Sequence, residues 1–113
     1  MIADPSLQAV YIPLPNALHA EWIERALRAG KHVLCEKPLT PSLEETARLC
    51  DLARQNRLLL METFQFRFHA QNRLVRQWLA EGRLGELRVF RSSFGFPPFR
   101  NPANIRYSQT LAG

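Results

Sequence analysis

Gly30-Lys31-His32-Val33-Leu34-Cys35-Glu36-Lys37-Pro38 is the stretch that decides the fold of this 113-residue chain. Val33, Leu34 and Cys35 are too few for a helix, and punctuation flanks them, so they read as a buried parallel strand. Its carboxyl end delivers Glu36 and Lys37 to the rim of a sheet, which is where open α/β sheets bind ligands. Pro38 cannot extend the ladder, and it biases Lys37 away from helical angles. An ionisable pair is thereby set on a stiff turn.

Outward from this stretch the same punctuation recurs. Upstream, Ala9 to Pro13 is an apolar, β-rich run stopped by Pro13 and Pro15, which supply no backbone donor. Asn16 is a good N-cap residue, and Leu18, Trp22, Ala26 and Ala29 follow at helical spacing, with Ile23 and Leu27 widening the stripe. Gly30 closes that helix. Downstream, Ser42 and Glu45 form a capping box, and Leu43, Ala47, Cys50 and Ala53 keep helical spacing to Arg54. Leu58 to Met61 reads as a third buried strand. Strand, helix, strand, helix, strand implies parallel pairing through helical crossovers. This is half of a doubly wound α/β sheet.

The pattern changes near Phe64. Phe64, Phe66 and Phe68 alternate with Gln65, Arg67 and His69. Leu74, Val75, Trp78 and Leu79 mark a helix ending at Gly82, and Leu87 to Phe96 is a longer β-rich segment stopped by Pro97-Pro98. Ala103 to Gly113 shows no clear pattern. The expected division is therefore 1–64 and 65–113.

Composition narrows the function classes. Hydrophobic content of 46% and charged content of 22% are those of a soluble globular protein. No apolar run approaches the roughly 20 residues that cross a bilayer. The start has neither a basic region nor an apolar h-region, so a signal peptide is not expected, and the cytoplasm is the expected location. The net charge of +5 raises the question of nucleic acid. The arginines are scattered and form no basic run, so solvated helix faces are the preferred reading. Cys35 and Cys50 lack metal-ligand spacing and read as small core residues, so no metal site is expected.

Glu36-Lys37-Pro38 after a Gly-Lys-His-Val strand resembles the glucose–fructose oxidoreductase and inositol dehydrogenase family (Gfo/Idh/MocA). Tyr11-Ile12-Pro13-Leu14-Pro15-Asn16-Ala17-Leu18-His19 resembles the strand and turn that precede it there, and Ile105-Arg106 with Leu111-Ala112-Gly113 resembles the approach to a later glycine-rich segment. The resemblance covers nearly the whole chain and implies the second half of a Rossmann-type doubly wound parallel sheet, followed by the start of an α+β open-sheet domain. Two family features have no counterpart: the Gly-x-Gly-x-x-Gly turn upstream, and the Asp with a His or Tyr that moves the proton downstream. A fragment of a longer enzyme and a truncated reading frame both fit that pattern.

The family implies an enzyme that passes hydride between NAD or NADP and a secondary alcohol of a sugar, polyol or cyclic diol. Lys37 is the expected catalytic residue, orienting and polarising the reacting oxygen. Glu36 resembles the residue that approaches the nicotinamide ribose, and a carboxylate suits ribose hydroxyls because it only accepts. Leu14, Pro15 and Asn16 stand where the family's chain passes the cofactor, although Asn16 can instead spend its side chain as a helix cap. His19 reads either as a structural histidine or as a cofactor-side residue. Gln65 stands near the nicotinamide in relatives, and Arg67 and Arg106 are candidates for substrate contact. The 113 residues alone are expected to be inactive, and homo-oligomerisation through the second domain is expected of the whole enzyme. The alternatives are a non-catalytic relative of the fold, acting as a binding or oligomerisation module, and a basic nucleic-acid binder, which the lack of a basic stripe disfavours.

Overall fold

The computed structural model describes residues 1–112. Strands β1 (Ala9–Ile12), β2 (His32–Cys35) and β3 (Leu60–Glu62) lie side by side in that order, and both pairings are parallel. Val10 faces Val33 and Val33 faces Leu60; at the carboxyl end Cys35 lies between Ile12 and Glu62. Helix α1 (His19–Arg28) connects the first two strands and α2 (Leu43–Gln55) the next two. The third strand begins two residues later than the apolar run suggests and takes in Glu62.

Helix α1 ends in a left-handed turn at Gly30, where φ is +73° and a side chain would be strained. There the Gly30 N–H donates to Leu27 O and the Lys31 N–H to Ala26 O, so the last carbonyls of the helix are satisfied. The next residue, Lys31, is buried, and its ammonium donates to Asp4 O and Leu7 O, both at 2.8 Å. A buried cation needs such acceptors, and these two anchor the amino-terminal segment to the sheet.

Ile23, Ala26 and Leu27 of α1, with Leu49 and Ala53 of α2, pack against Val10, Ile12, Val33 and Cys35 on one sheet face. The other face carries Tyr11, Leu34 and Met61, which are 49%, 37% and 42% exposed. This corrects the reading of Leu34 as buried. Strand side chains alternate, and among the described residues helices cover only one face. The α2 stripe is also corrected: Leu43 is 85% exposed and Ala47 is exposed, while Leu49 and Ala53 face the core. Ser42 does cap α2, its hydroxyl accepting the Glu45 N–H at 3.3 Å. Asn16 does not cap α1. It lies in a 3-10 turn, Asn16–Leu18, and the helix proper begins at His19.

Met1–Thr63 and the stretch from Asn101 on form one unit, and Phe64–Arg100 forms another, whereas the sequence reading ran the second domain from 65 to 113. Within the second unit a 3-10 turn, Gln65–Phe68, leads into α3 (Ala70–Ala80), and no α3 residue is buried. Leu87–Phe96 forms no strand and is exposed, contrary to its β-rich composition. A strand needs a partner as well as propensity, and none is placed beside it among the described residues. The unpatterned tail of the sequence forms two short 3-10 turns, Ile105–Tyr107 and Gln109–Leu111; Gly113 lies outside the described residues. Among the described residues no helix is long and apolar enough to cross a membrane.

Candidate active site

The carboxyl ends of the three strands bring together the Pro13–Asn16 turn, the Glu36–Thr40 loop and the Glu62–Thr63 corner. The central loop carries the two residues singled out by the sequence. The Glu36 N–H continues the sheet by donating to Ile12 O at 3.0 Å. The Glu36 carboxylate accepts the Tyr11 hydroxyl at 2.7 Å through Oε1, and the Lys37 N–H at 3.4 Å through Oε2. The Tyr11 bond is the main reason the Glu36 carboxyl is held below the usual glutamate range, with smaller help from the Lys37 N–H and the Lys37 charge. The same bond, followed by burial, raises the Tyr11 phenol above its ordinary value.

A lowered folded-state pKa stabilises the fold above the unfolded value of about 4.3, and that contribution is lost as pH falls through the folded value. The raised tyrosine has the opposite wing: its contribution is present below about 10 and is lost as pH rises. Tyr11→Phe removes the donor and keeps the ring. The Glu36 titration midpoint, followed by carboxyl carbon NMR, is expected to rise toward the ordinary range in that variant. An unmoved midpoint would mean that Tyr11 does not hold Glu36 ionised.

Lys37 is exposed, and its ammonium makes no hydrogen bond or ion pair with another described residue. It stands beside the Glu36 charge on a loop whose Lys37–Pro38 bond is cis. Past it the backbone is held from both sides. His19 is completely buried, its Nδ1 lying 2.8 Å from Pro38 O and its Nε2 2.8 Å from Leu14 O. The Leu39 N–H donates to Glu62 Oε1 at 2.8 Å, and the Thr40 hydroxyl donates to Ser42 O at 2.6 Å.

Of the remaining expected residues, Leu14 and Pro15 sit half-buried at the rim, and Asn16 Nδ2 donates to Ala112 O at 2.7 Å. His19 is at the same rim, but both ring nitrogens face backbone carbonyls. Gln65 and Arg67 are exposed in the second unit, which is described by itself. Arg106 is exposed in the turn Ile105–Tyr107, with its N–H donating to Asn104 Oδ1 at 3.0 Å. Tyr11 and Glu62 escaped the sequence reading. The available signal for Glu62 was an acid ending the third strand of a set whose second strand also runs into one. Cys35 is no nucleophile, since burial pushes its thiol up to about 12.

A parallel α/β sheet with an anionic carboxylate and an unpaired ammonium on its carboxyl rim presents charged groups where open α/β sheets bind their ligands. The family model described as "Oxidoreductase family, NAD-binding Rossmann fold" (GFO_IDH_MocA) matches residues 1–64, and the chain belongs to that family. It is 53% identical over 107 residues to a dTDP-3,4-didehydro-2,6-dideoxy-alpha-D-glucose 3-reductase of Actinomadura kijaniata, covering 95% of this chain and 32% of that protein. It is 44% identical to D-xylose 1-dehydrogenase (NADP(+)) 2 of Haloferax volcanii, over all of this chain and 34% of that one. Among solved structures, KijD10, a 3-ketoreductase from Actinomadura kijaniata in complex with NADP and TDP-benzene, is 56% identical with a TM-score of 0.66 over 72% of this chain and 25% of that one. A putative myo-inositol dehydrogenase from Sinorhizobium meliloti is 35% identical with a TM-score of 0.71, over 75% of this chain and 26% of that one. The chain thus spans about a third of the length of the curated relatives it matches.

Proposed function

We propose that this chain supplies the central part of an NAD(P)-dependent oxidoreductase that moves hydride between a nicotinamide cofactor and a secondary alcohol, or the matching ketone, of a sugar or polyol. One observation carries the reading: Glu36 is held anionic while Lys37 beside it is left unpaired, both at the carboxyl end of the central strand. That donor set suits the cofactor, because ribose hydroxyls need acceptors and Glu36 has lone pairs to spare. When bound, the nicotinamide supplies or accepts the hydride. The protein's part is to orient and to stabilise charge. Glu36 accepts from the ribose, and Leu14, Pro15 and Asn16 line its approach. Gln65 is assigned to the nicotinamide side. Lys37 donates a hydrogen bond to the reacting oxygen, where negative charge grows as hydride reaches the carbonyl carbon or, in the reverse direction, as the alcohol gives up its proton before hydride leaves. Arg67 and Arg106 are assigned to the substrate. Residues 1–64 are assigned to the dinucleotide domain and the substrate domain opens after them; through it the whole enzyme self-associates in the cytoplasm, and the 113 residues alone are inactive.

A narrower reading makes the substrate a keto sugar linked to a nucleoside diphosphate. The names of the reductase relatives favour it, and so does charge: residues 64–100 hold seven arginines against two glutamates, while the rest of the chain balances. The test is a transplant. This chain replaces the matching 107 residues of the Actinomadura kijaniata reductase. Turnover, followed by loss of reduced-nicotinamide absorbance, is expected to stay within about tenfold of the parent, or about 1.4 kcal/mol of barrier. A folded chimera that binds NADPH and shows no turnover would sink the reading in favour of a non-catalytic relative.

A further inference from the structure

The two residues that hold the backbone beyond Lys37 come from two different elements, and neither has a part in the scheme above. His19 opens α1, next to β1; Glu62 ends β3; the loop they hold leaves β2, the strand between. We propose that Glu62 and His19 are positioning residues for Lys37, acting through the backbone on the far side of Pro38. This rests on the oxidoreductase reading of Lys37.

The geometry makes the case. Glu62 Oε1 accepts the Leu39 N–H at 2.8 Å, two residues past Lys37. His19 Nδ1 lies 2.8 Å from Pro38 O, one residue past it. Successive backbone groups, one acceptor and one donor, are thus fixed from opposite neighbours of the central strand. On the near side, Tyr11 fixes Glu36 at 2.7 Å. Lys37 lies between these anchors with its own side chain uncommitted. His19 adds a second link, since Nε2 meets Leu14 O at 2.8 Å and ties the first strand's turn to the Lys37 loop. Both of its partners are carbonyl oxygens, which only accept, so each bond needs an N–H on the ring; a neutral imidazole serves one of the two carbonyls and an imidazolium both. A completely buried histidine occupied in this way is not offered to a ligand. Its contribution to the rim is the distance it sets between two turns.

Loops leaving a sheet are ordinarily its more mobile parts. A lysine on such a loop must keep its ammonium at the reacting oxygen, and misplacement by about 1 Å can cost about 10²-fold in rate. Two part-buried bonds, to Pro38 O and the Leu39 N–H, restrain that freedom. Neither bond requires the Glu62 side chain to be charged. A glutamine amide oxygen accepts an N–H as well as a carboxylate oxygen does, whereas methionine matches the length and accepts almost nothing.

The experiment compares Glu62→Gln with Glu62→Met in the full-length oxidoreductase proposed above, with NADPH as cofactor and the keto sugar or polyol that gives the highest turnover. Glu62→Met is expected to lower kcat about tenfold, with the NADPH dissociation constant moving less than about threefold, and Glu62→Gln to restore kcat to within about threefold of the parent. Amide hydrogen exchange at Leu39 is read in the same samples without substrate. It is expected to speed up in Glu62→Met and stay slow in Glu62→Gln. Unchanged Leu39 exchange in Glu62→Met would overturn the positioning role whatever the kinetics show. A Glu62→Gln enzyme as slow as Glu62→Met would also overturn it, since that outcome requires the charge and not the bond. Exchange that follows the bond, in a parent with no NADPH-dependent turnover on any sugar, would instead overturn the oxidoreductase reading, with the clamp left standing. His19→Phe, which keeps the ring volume, extends the comparison. It is expected to lower kcat more than it weakens NADPH binding, whereas equal losses in both would return His19 to the cofactor's own contacts.

Discussion

Lys37→Met in the full-length oxidoreductase is expected to lower kcat by about 10²-fold or more, the scale observed when one well-placed stabilising group is lost. The reasoning starts from where the charge acts. An ammonium that meets a developing alkoxide contributes more in the transition state than in the ground state, so its loss falls on kcat. Methionine keeps roughly the length of the side chain and removes the charge. The binding of NADPH should change far less, because Glu36 and its Tyr11 partner remain in place. Lys37→Arg should not rescue the rate, since a planar fork is a poor replacement for a compact point charge. The measurement is steady-state kinetics with cofactor binding determined separately. A Lys37→Met enzyme that keeps its kcat would remove Lys37 from the chemistry, and Glu62 and His19 would lose the residue they are proposed to place.

Much of this arrangement was legible in the sequence because it depends on local punctuation. Gly30 ends a helix by a rule that needs no tertiary knowledge, and Pro38 ends a strand by another. With those two stops fixed, Glu36 and Lys37 had to emerge at the sheet's carboxyl rim. What stayed illegible depends on partners distant in sequence. Asn16 is a sound N-cap by type, yet its amide donates to Ala112 O, 96 residues away, and the helix starts three residues later. Leu34 sits in an unbroken apolar run, and only the layer of helices on one side decides that Val33 and Cys35 are inside and Leu34 is not. Leu87–Phe96 has the composition of a strand, but pairing is a property of two segments. Glu62 was invisible as a clamp because its bond goes to a backbone N–H 23 residues earlier, and no side-chain pattern records a backbone donor.

The second large effect is on stability, and it turns on two leucines of α2: Leu43, which the helical pattern included, and Leu49, which it left out. Leu49→Ala is expected to destabilise the first unit by about 3 kcal/mol, within the usual 2–5 for a buried leucine. Leu49 is fully buried, and of α2's thirteen residues only it and Ala53 are buried. The alanine at 53 has little area to offer, and Leu52 is only partly buried, so Leu49 is the large side chain of α2 that is wholly inside the core. Since whole domains are stable by only about 5–15 kcal/mol, that loss is a large share. Leu43 lies in the first turn of the same helix and is 85% exposed. Leu43→Ala should therefore stay within about 0.5 kcal/mol of the parent, as surface substitutions generally do. Urea denaturation followed by far-ultraviolet circular dichroism, at matched protein concentration, reads both variants. The midpoint should fall sharply for Leu49→Ala and hold for Leu43→Ala with the slope unchanged, because the surface exposed on unfolding is nearly the same. Equal losses at the two positions would mean that α2 packs through its first turn after all. The loop it follows, which carries Lys37, would then be held differently from the arrangement described above.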